Sequence, residues 1–121
     1  MFDFKGKIAV VTGGARGIGK CIREKFEEAG AKVCVIDLLE NDYFVGDIAD
    51  WEVLERFADQ VISDYGYVDY LINNAAPKMC GIENGSYEDF EYALRVGVTA
   101  PFYLAKLFAP HFSEGASIVN I

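Results

Sequence analysis

Apolar positions recur along this chain with two periods that alternate from end to end. Lys7–Thr12 is a continuous apolar run, the pattern of a parallel strand covered on both faces. Ile18, Cys21, Ile22 and Phe26 follow at helical spacing, with Lys20, Arg23, Glu24 and Glu27 between them. Gly30 is placed to stop that helix. Lys32–Asp37 reads as a second buried strand ending on an acid, and Tyr43–Val45 as a short one ahead of Gly46-Asp47-Ile48. Asp50 is positioned to cap a helix whose first turn holds Glu52 and Glu55. Its inner face is Leu54, Phe57, Ala58, Val61, Ile62 and Tyr65. Gly66 ends it, and Val68–Ile72 predicts a fourth strand that runs into Asn73-Asn74-Ala75-Ala76-Pro77.

Further along, Ser86-Tyr87-Glu88-Asp89 has the form of a capping box, opening a helix with Phe90 and Leu94 on its inner face. Pro101 suits the first turn of another helix, which continues through Phe112. Phe102, Tyr103, Leu104, Ala105, Leu107 and Phe108 make that helix apolar almost all round, which predicts complete burial in a larger core or a subunit interface. After Gly115, Ala116–Ile121 reads as a fifth strand. The βαβαβ order predicts an α/β fold with an open, doubly wound parallel sheet in strand order 3-2-1-4-5, binding ligands at the carboxyl ends of its strands. No repeat or linker interrupts the pattern, so residues 1–121 read as a single dinucleotide-binding domain halted at the end of its fifth strand.

Composition narrows the partners. Nineteen acidic residues against 11 basic ones give a net charge of −8. That excludes nucleic acid as the main partner, because a phosphate backbone needs a basic footprint. A small dinucleotide is still compatible, since a few N–H groups and one helix end can hold its diphosphate. Cys21, Cys34 and Cys80 form no C-x-x-C pair and are odd in number, which fits a reducing cytoplasm better than a disulfide framework. Cys21 and Cys34 lie inside predicted elements and read as small core residues. His111 is the sole histidine and has no companions for a metal site, so none is expected. No apolar run approaches the roughly 20 residues that span a bilayer, and the N-terminus lacks a signal core. A cytoplasmic protein with no membrane partner is the expectation.

The chemistry centres on Thr12-Gly13-Gly14-Ala15-Arg16-Gly17-Ile18-Gly19, between the first strand and the first helix. Glycines there allow a tight turn, close approach of a ligand to the backbone, and close helix–strand packing. The free N–H groups and positive end of the helix suit a phosphate. The spacing G-x-x-x-G-x-G differs from the commoner G-x-G-x-x-G, so the position of the turn and Asp37 carry the dinucleotide reading. Asp37 ends the next strand, where a carboxylate accepts hydrogen bonds from ribose hydroxyls and repels a 2′-phosphate. Without a ligand, it simply ends a strand in solvent. A methyltransferase with a similar turn and ribose acid is a weaker reading, because Asn73-Asn74-Ala75-Ala76 has no role there.

Together these segments resemble the short-chain dehydrogenase/reductase family in its ordinary, non-extended form. The matching residues are Thr12 to Gly19, Asp37, Gly46-Asp47-Ile48, Asn73-Asn74-Ala75-Ala76, and the register of Arg95-Val96-Gly97-Val98-Thr99-Ala100-Pro101-Phe102. The resemblance covers the whole chain and implies a Rossmann fold. It implies that Gly13, Arg16 and Ile18 line the pyrophosphate turn, which Ala15, Gly17 and Gly19 complete. By the same resemblance, Asp37 takes the adenosine ribose and Asp47 with Ile48 flanks the adenine. Asn74, Ala75 and Ala76 line the cleft, and Val96 lies towards the nicotinamide. Asn73 and Asn74 are equally suited to satisfying loop backbone groups, and the family combines both uses. Arg16 is either a partner for a 2′-phosphate or a solvated turn residue. Asp37 probes the ribose more directly, which makes NAD the expected cofactor and NADP the less favoured one.

Two departures from the family bear on catalysis. The family's active-site asparagine, which helps hold a helix bend and a water of the proton relay, falls at Gly97. Glycine keeps a backbone carbonyl there but loosens the helix by about 1 kcal/mol. In the family, the catalytic Ser and the Tyr-x-x-x-Lys pair lie beyond the fifth strand, and this chain contains no Tyr-x-x-x-Lys. Tyr87, Tyr92 and Tyr103 have no lysine four residues on and read as packing residues. The resemblance thus implies the cofactor-binding half of an NAD(H)-dependent oxidoreductase, with no catalytic residue in this chain, which is expected to be inactive alone. The reaction implied is alcohol–carbonyl interconversion by hydride transfer on a small-molecule substrate, in a homo-oligomer (dimer or tetramer). A catalytically silent nucleotide-binding relative is the second reading, motivated by Gly97 and the absent Tyr–Lys pair. The 121 residues alone are expected to aggregate through an open fifth-strand edge and the exposed apolar helix.

Overall fold

The computed structural model describes residues 2–121. Five parallel strands form one sheet in the order β3-β2-β1-β4-β5, the order that right-handed crossovers predict. They are β1 (Ile8–Thr12), β2 (Lys32–Asp37), β3 (Phe44–Val45), β4 (Val68–Asn73) and β5 (Phe112–Asn120). The helices are α1 (Gly17–Glu28), α2 (Trp51–Tyr65), α3 (Tyr87–Leu94) and α4 (Ala100–Phe108). Central strand β1 is buried at all five positions, which explains its unbroken apolar run. Val10, Cys34, Ile36 and Leu71 join Phe57, Leu104 and Phe108 in the main core, where Phe57 meets Phe44 and Phe108 edge-on. Burial pushes the Cys34 thiol up to about 12, so it stays protonated as a core residue.

Helix α2 follows its sequence pattern closely. The Asp50 carboxylate accepts the Glu52 N–H at 2.9 Å, and Gly66 closes the helix with φ +83. Leu54, Phe57, Ala58 and Val61 are buried, with Ile62 and Tyr65 packed at the edge. The Ser86 box also forms: Ser86 Oγ accepts the Asp89 N–H, and Asp89 Oδ2 accepts the Ser86 N–H, both at 3.0 Å. That bond holds the Asp89 carboxyl below its usual range.

Several expectations are corrected. Cys21 is exposed, because the inward line of α1 runs through Gly19, Ile22, Phe26 and Ala29 and leaves position 21 to one side. Phe90 and Leu94 are not on an inner face: they are 66% and 44% exposed, while Tyr92, Ala93 and Val96 turn inward. Pro101 does not open a separate helix. A five-residue π-turn, Arg95–Thr99, joins α3 to α4 without a break, and the Ala100 N–H donates to Arg95 O. The wider turn accommodates Pro101, which has no N–H and crowds the carbonyl four residues back in a regular α-helix. The helix also ends early, passing through a 3₁₀ turn at Ala109–His111 into β5. Its burial is one-sided: Ala100, Leu104 and Phe108 are buried, whereas Phe102 is 65% exposed.

The fifth strand likewise begins earlier than expected, at Phe112. Val68 pairs with Phe112 and Tyr70 with Ser117, so residues 113–116 bulge opposite Asp69 alone. Buried Asp69 accepts the Ile8 N–H at 2.8 Å and the Ser113 hydroxyl, tying β1, β4 and β5 together at the amino end of the sheet.

Candidate functional site

At the opposite, carboxyl edge, β1 leaves the sheet through a turn in which Gly13 (φ +70) and Gly17 (φ +58) take the left-handed backbone that glycine tolerates. The Gly13 N–H donates to Ile36 O at 2.8 Å, extending the β1–β2 ladder by one step. Thr12 Oγ1 accepts two backbone N–H groups from the end of β4, Asn74 at 3.0 Å and Ala75 at 2.9 Å. The Asn74 amide returns the contact, donating to Thr12 O at 3.1 Å and Gly13 O at 3.2 Å. A Cβ at position 19 would lie 2.1 Å from Gly13 O and 2.4 Å from Asn74 Nδ2, so no side chain fits there. Asn73 serves a different neighbour, its amide donating to Asn120 Oδ1 at 2.8 Å.

Two carboxylates are fixed beside this turn. Asp37 Oδ2 accepts the Ala15 N–H and Oδ1 the Leu39 N–H, each at 2.9 Å. Asp47 Oδ1 accepts the Ala49 N–H at 2.9 Å, and Oδ2 the Tyr92 hydroxyl at 2.8 Å. Burial, reinforced by the hydrogen bond to Asp47, pushes the Tyr92 hydroxyl up to about 12, so it remains a donor at neutral pH. Arg16 precedes α1 in extended backbone and supplies no side-chain cap, leaving the first-turn N–H groups without a side-chain partner.

These groups surround a cleft of about 540 Å³. Gly13, Arg16, Gly17 and Ile18 line it, as do Asp37, Asp47 and Ile48. Asn74, Ala75, Ala76 and Val96 complete the residues singled out from the sequence that face it. Ala15 and Gly19 do not line the cleft: Ala15 braces Asp37, and Gly19 packs against the Gly13 carbonyl. Gly97 is exposed in the π-turn, and a Cβ there would meet nothing within 4 Å. Sequence reasoning missed Leu38, Leu39, Lys78 and Tyr92, which also line the cleft. Tyr92 carried a usable signal, since it stands one helical turn before Val96 and shares its face. Two bases, Arg16 and Lys78, balance the two acids here, so the surface excess of negative charge does not extend into the cleft. Among the described residues, no cluster of three or more His, Cys, Asp or Glu could hold a metal, and no helix is long and apolar enough to cross a membrane.

Replacing Thr12 with Val keeps the side-chain shape but leaves the N–H groups of Asn74 and Ala75 without their acceptor. Urea denaturation of the full-length protein should show a loss of about 2–4 kcal/mol for Thr12→Val, and at most about 1 kcal/mol for Thr12→Ser, which retains the hydroxyl.

Comparison with known proteins agrees with this layout. The family model described as short chain dehydrogenase matches residues 7–121. The chain is 34% identical to xanthoxin dehydrogenase of Arabidopsis thaliana, covering 96% of this chain and 49% of that protein. It is 32% identical to L-fucose dehydrogenase of Mus musculus, covering 98% and 49% respectively. A short chain dehydrogenase from Burkholderia cenocepacia, solved in complex with NADP, superposes with a TM-score of 0.84 at 28% identity, over 97% of this chain and 55% of that one. The chain spans about half the length of the curated relatives it matches. With the glycine turn, the Asn-Asn-Ala-Ala segment and the 3-2-1-4-5 sheet in one register, it belongs to the short-chain dehydrogenase family.

Proposed function

We propose that the full-length protein is an NAD(H)-dependent oxidoreductase interconverting an alcohol and a carbonyl of a small-molecule substrate, with this segment as its cofactor site. The observation that carries the reading is Asp37, held at the cleft by Ala15 and Leu39 N–H groups beside a glycine turn in which no side chain fits at position 19. When bound, the nicotinamide dinucleotide supplies the hydride chemistry. The protein's part is to bind and orient. The first-turn N–H groups of α1 and the positive end of its dipole suit the diphosphate, with Gly13, Ala15, Arg16, Gly17, Ile18 and Gly19 forming the turn. Asp37 keeps a free lone pair on each oxygen for the ribose hydroxyls. Asp47 and Ile48 flank the adenine, Asn74, Ala75 and Ala76 line the middle of the cleft, and Val96 lies towards the nicotinamide.

The Burkholderia relative carries NADP, so the choice of NAD rests on Asp37 itself. A 2′-phosphate brings nearly two negative charges to that carboxylate. Residues 38–40 are Leu-Leu-Glu and offer no base to offset them. Arg16, exposed in the turn, is read as a solvated residue.

A cytoplasmic homo-oligomer, dimer or tetramer, is part of the same reading. Tyr87, Phe90, Leu94, Val98 and Phe102 form a continuous apolar stripe along α3, the π-turn and α4, with each side chain 44% to 76% exposed. A second copy of the protein would cover it. A catalytically silent relative is the alternative that Gly97 favours, since the position lacks an amide side chain.

Fluorescence titration of the full-length protein should show NADH binding at least about tenfold more tightly than NADPH, with Asp37→Ala erasing most of that difference. Equal affinities in the unmodified protein would sink the ribose argument. Because position 97 opens on free space, Gly97→Asn should fold normally and raise turnover on an alcohol panel by on the order of tenfold. No turnover with either version would favour the silent relative. Phe102→Asp should move the protein to a smaller species in sedimentation velocity, through one unpaired charge on the stripe.

A further inference from the structure

Tyr92 and Asp47 meet across 45 residues of sequence. The tyrosine hydroxyl holds one carboxylate oxygen and the Ala49 N–H the other, so the group is fixed from two sides. An ionised carboxylate only accepts hydrogen bonds, and each oxygen has a second lone pair. Asp47 therefore offers a fixed, acceptor-only edge to whatever lies in the cleft beside it. Among the described residues, no Lys or Arg forms an ion pair with it, so its remaining lone pairs stay open to a ligand. Ile48, the next residue, is buried and gives an apolar flank for a planar base.

An aromatic base placed there with an exocyclic amine towards Asp47 gains a charge-assisted hydrogen bond. A base carrying a carbonyl at the same position sets lone pairs against lone pairs. Sites built around a fixed hydrogen bond reject analogues lacking the matching group far better than apolar pockets do. Rejection of that kind needs a carboxylate that cannot rotate away, and the Tyr92 hydroxyl removes that freedom.

We propose that Tyr92 is a positioning residue which locks Asp47 as the selector of the adenine amine, so that helix α3 sets the base specificity of the cleft. The proposal rests on reading the cleft as a dinucleotide site. Phenylalanine at position 92 retains the ring and its packing and removes only the donor.

The test compares NADH with its reduced nicotinamide hypoxanthine analogue, in which a carbonyl replaces the amine and the adjacent ring N1 carries a proton. In the full-length protein NADH should bind about tenfold more tightly, and Tyr92→Phe should shrink that ratio about fivefold. Asp47→Ala should abolish the ratio, and adding Tyr92→Phe to it should change nothing further. Tyr92→Gln, which keeps an N–H donor, and Tyr92→Leu, which does not, form a second pair should the Phe variant fail to fold. Gln should preserve more of the ratio than Leu. A purely structural Tyr92 would weaken both dinucleotides equally. An unchanged ratio in folded Tyr92→Phe, equal loss of the ratio in Gln and Leu, or equal affinities in the unmodified protein overturns the proposal. Failure of both dinucleotides to bind would overturn the dinucleotide reading instead.

Discussion

Parallel strands β1 and β4 end side by side at the carboxyl edge of the sheet, and the peptide groups beyond their last ladder bonds have no strand partner. Thr12 and Asn74 satisfy them reciprocally: a hydroxyl accepts two N–H groups from one side, and an amide donates to two carbonyls from the other. The exchange fixes where the glycine turn leaves the sheet. It also places the Gly13 carbonyl and the Asn74 amide so close to α1 that only glycine fits at position 19. Loss of that stitch would free the turn from β4, and the helix start would lose its fixed position over the cleft. The site therefore depends on buried polar groups that contact no ligand themselves.

The same economy governs charge. The protein carries eight more acidic than basic residues, yet its cleft is balanced by Arg16 and Lys78 against Asp37 and Asp47. Each of the two acids accepts two protein hydrogen bonds, so both are oriented before any ligand arrives. Pre-orientation of this kind favours selectivity, because a fixed acceptor cannot turn aside from a mismatched group. On the proposed reading, Asp37 and Asp47 apply it to the ribose and to the base in turn.

Helix α3, the π-turn and α4 show how a local rule yields to context. A proline and a glycine four residues apart suggest a break, yet the chain stays helical by widening one turn. The result presents two apolar stripes on one long helix. One, through Tyr92, Val96, Ala100, Leu104 and Phe108, faces the cleft and the core; the other, through Phe90, Leu94, Val98 and Phe102, stays exposed. Periodicity reveals that both stripes exist but not which one meets the sheet, which is why Phe90 and Leu94 are misassigned from sequence.

Where propensity, capping and pattern agreed, the sequence alone determined the outcome. Helix α2, the capping box at Ser86, the strand order and the glycine turn were all legible, because each rests on contacts between near neighbours or on a general rule of chain handedness. Cys21 was not, since the inward line of α1 depends on how the helix lies across β1 and β2. The early start of β5 was not either, because its bulge is built around buried Asp69 from another strand. Only the tertiary structure brought Tyr92 onto Asp47, turning a residue with the look of core packing into part of the cleft wall. No local pattern encodes a hydrogen bond between positions 45 residues apart, for its geometry is set by the packing of whole helices against the sheet.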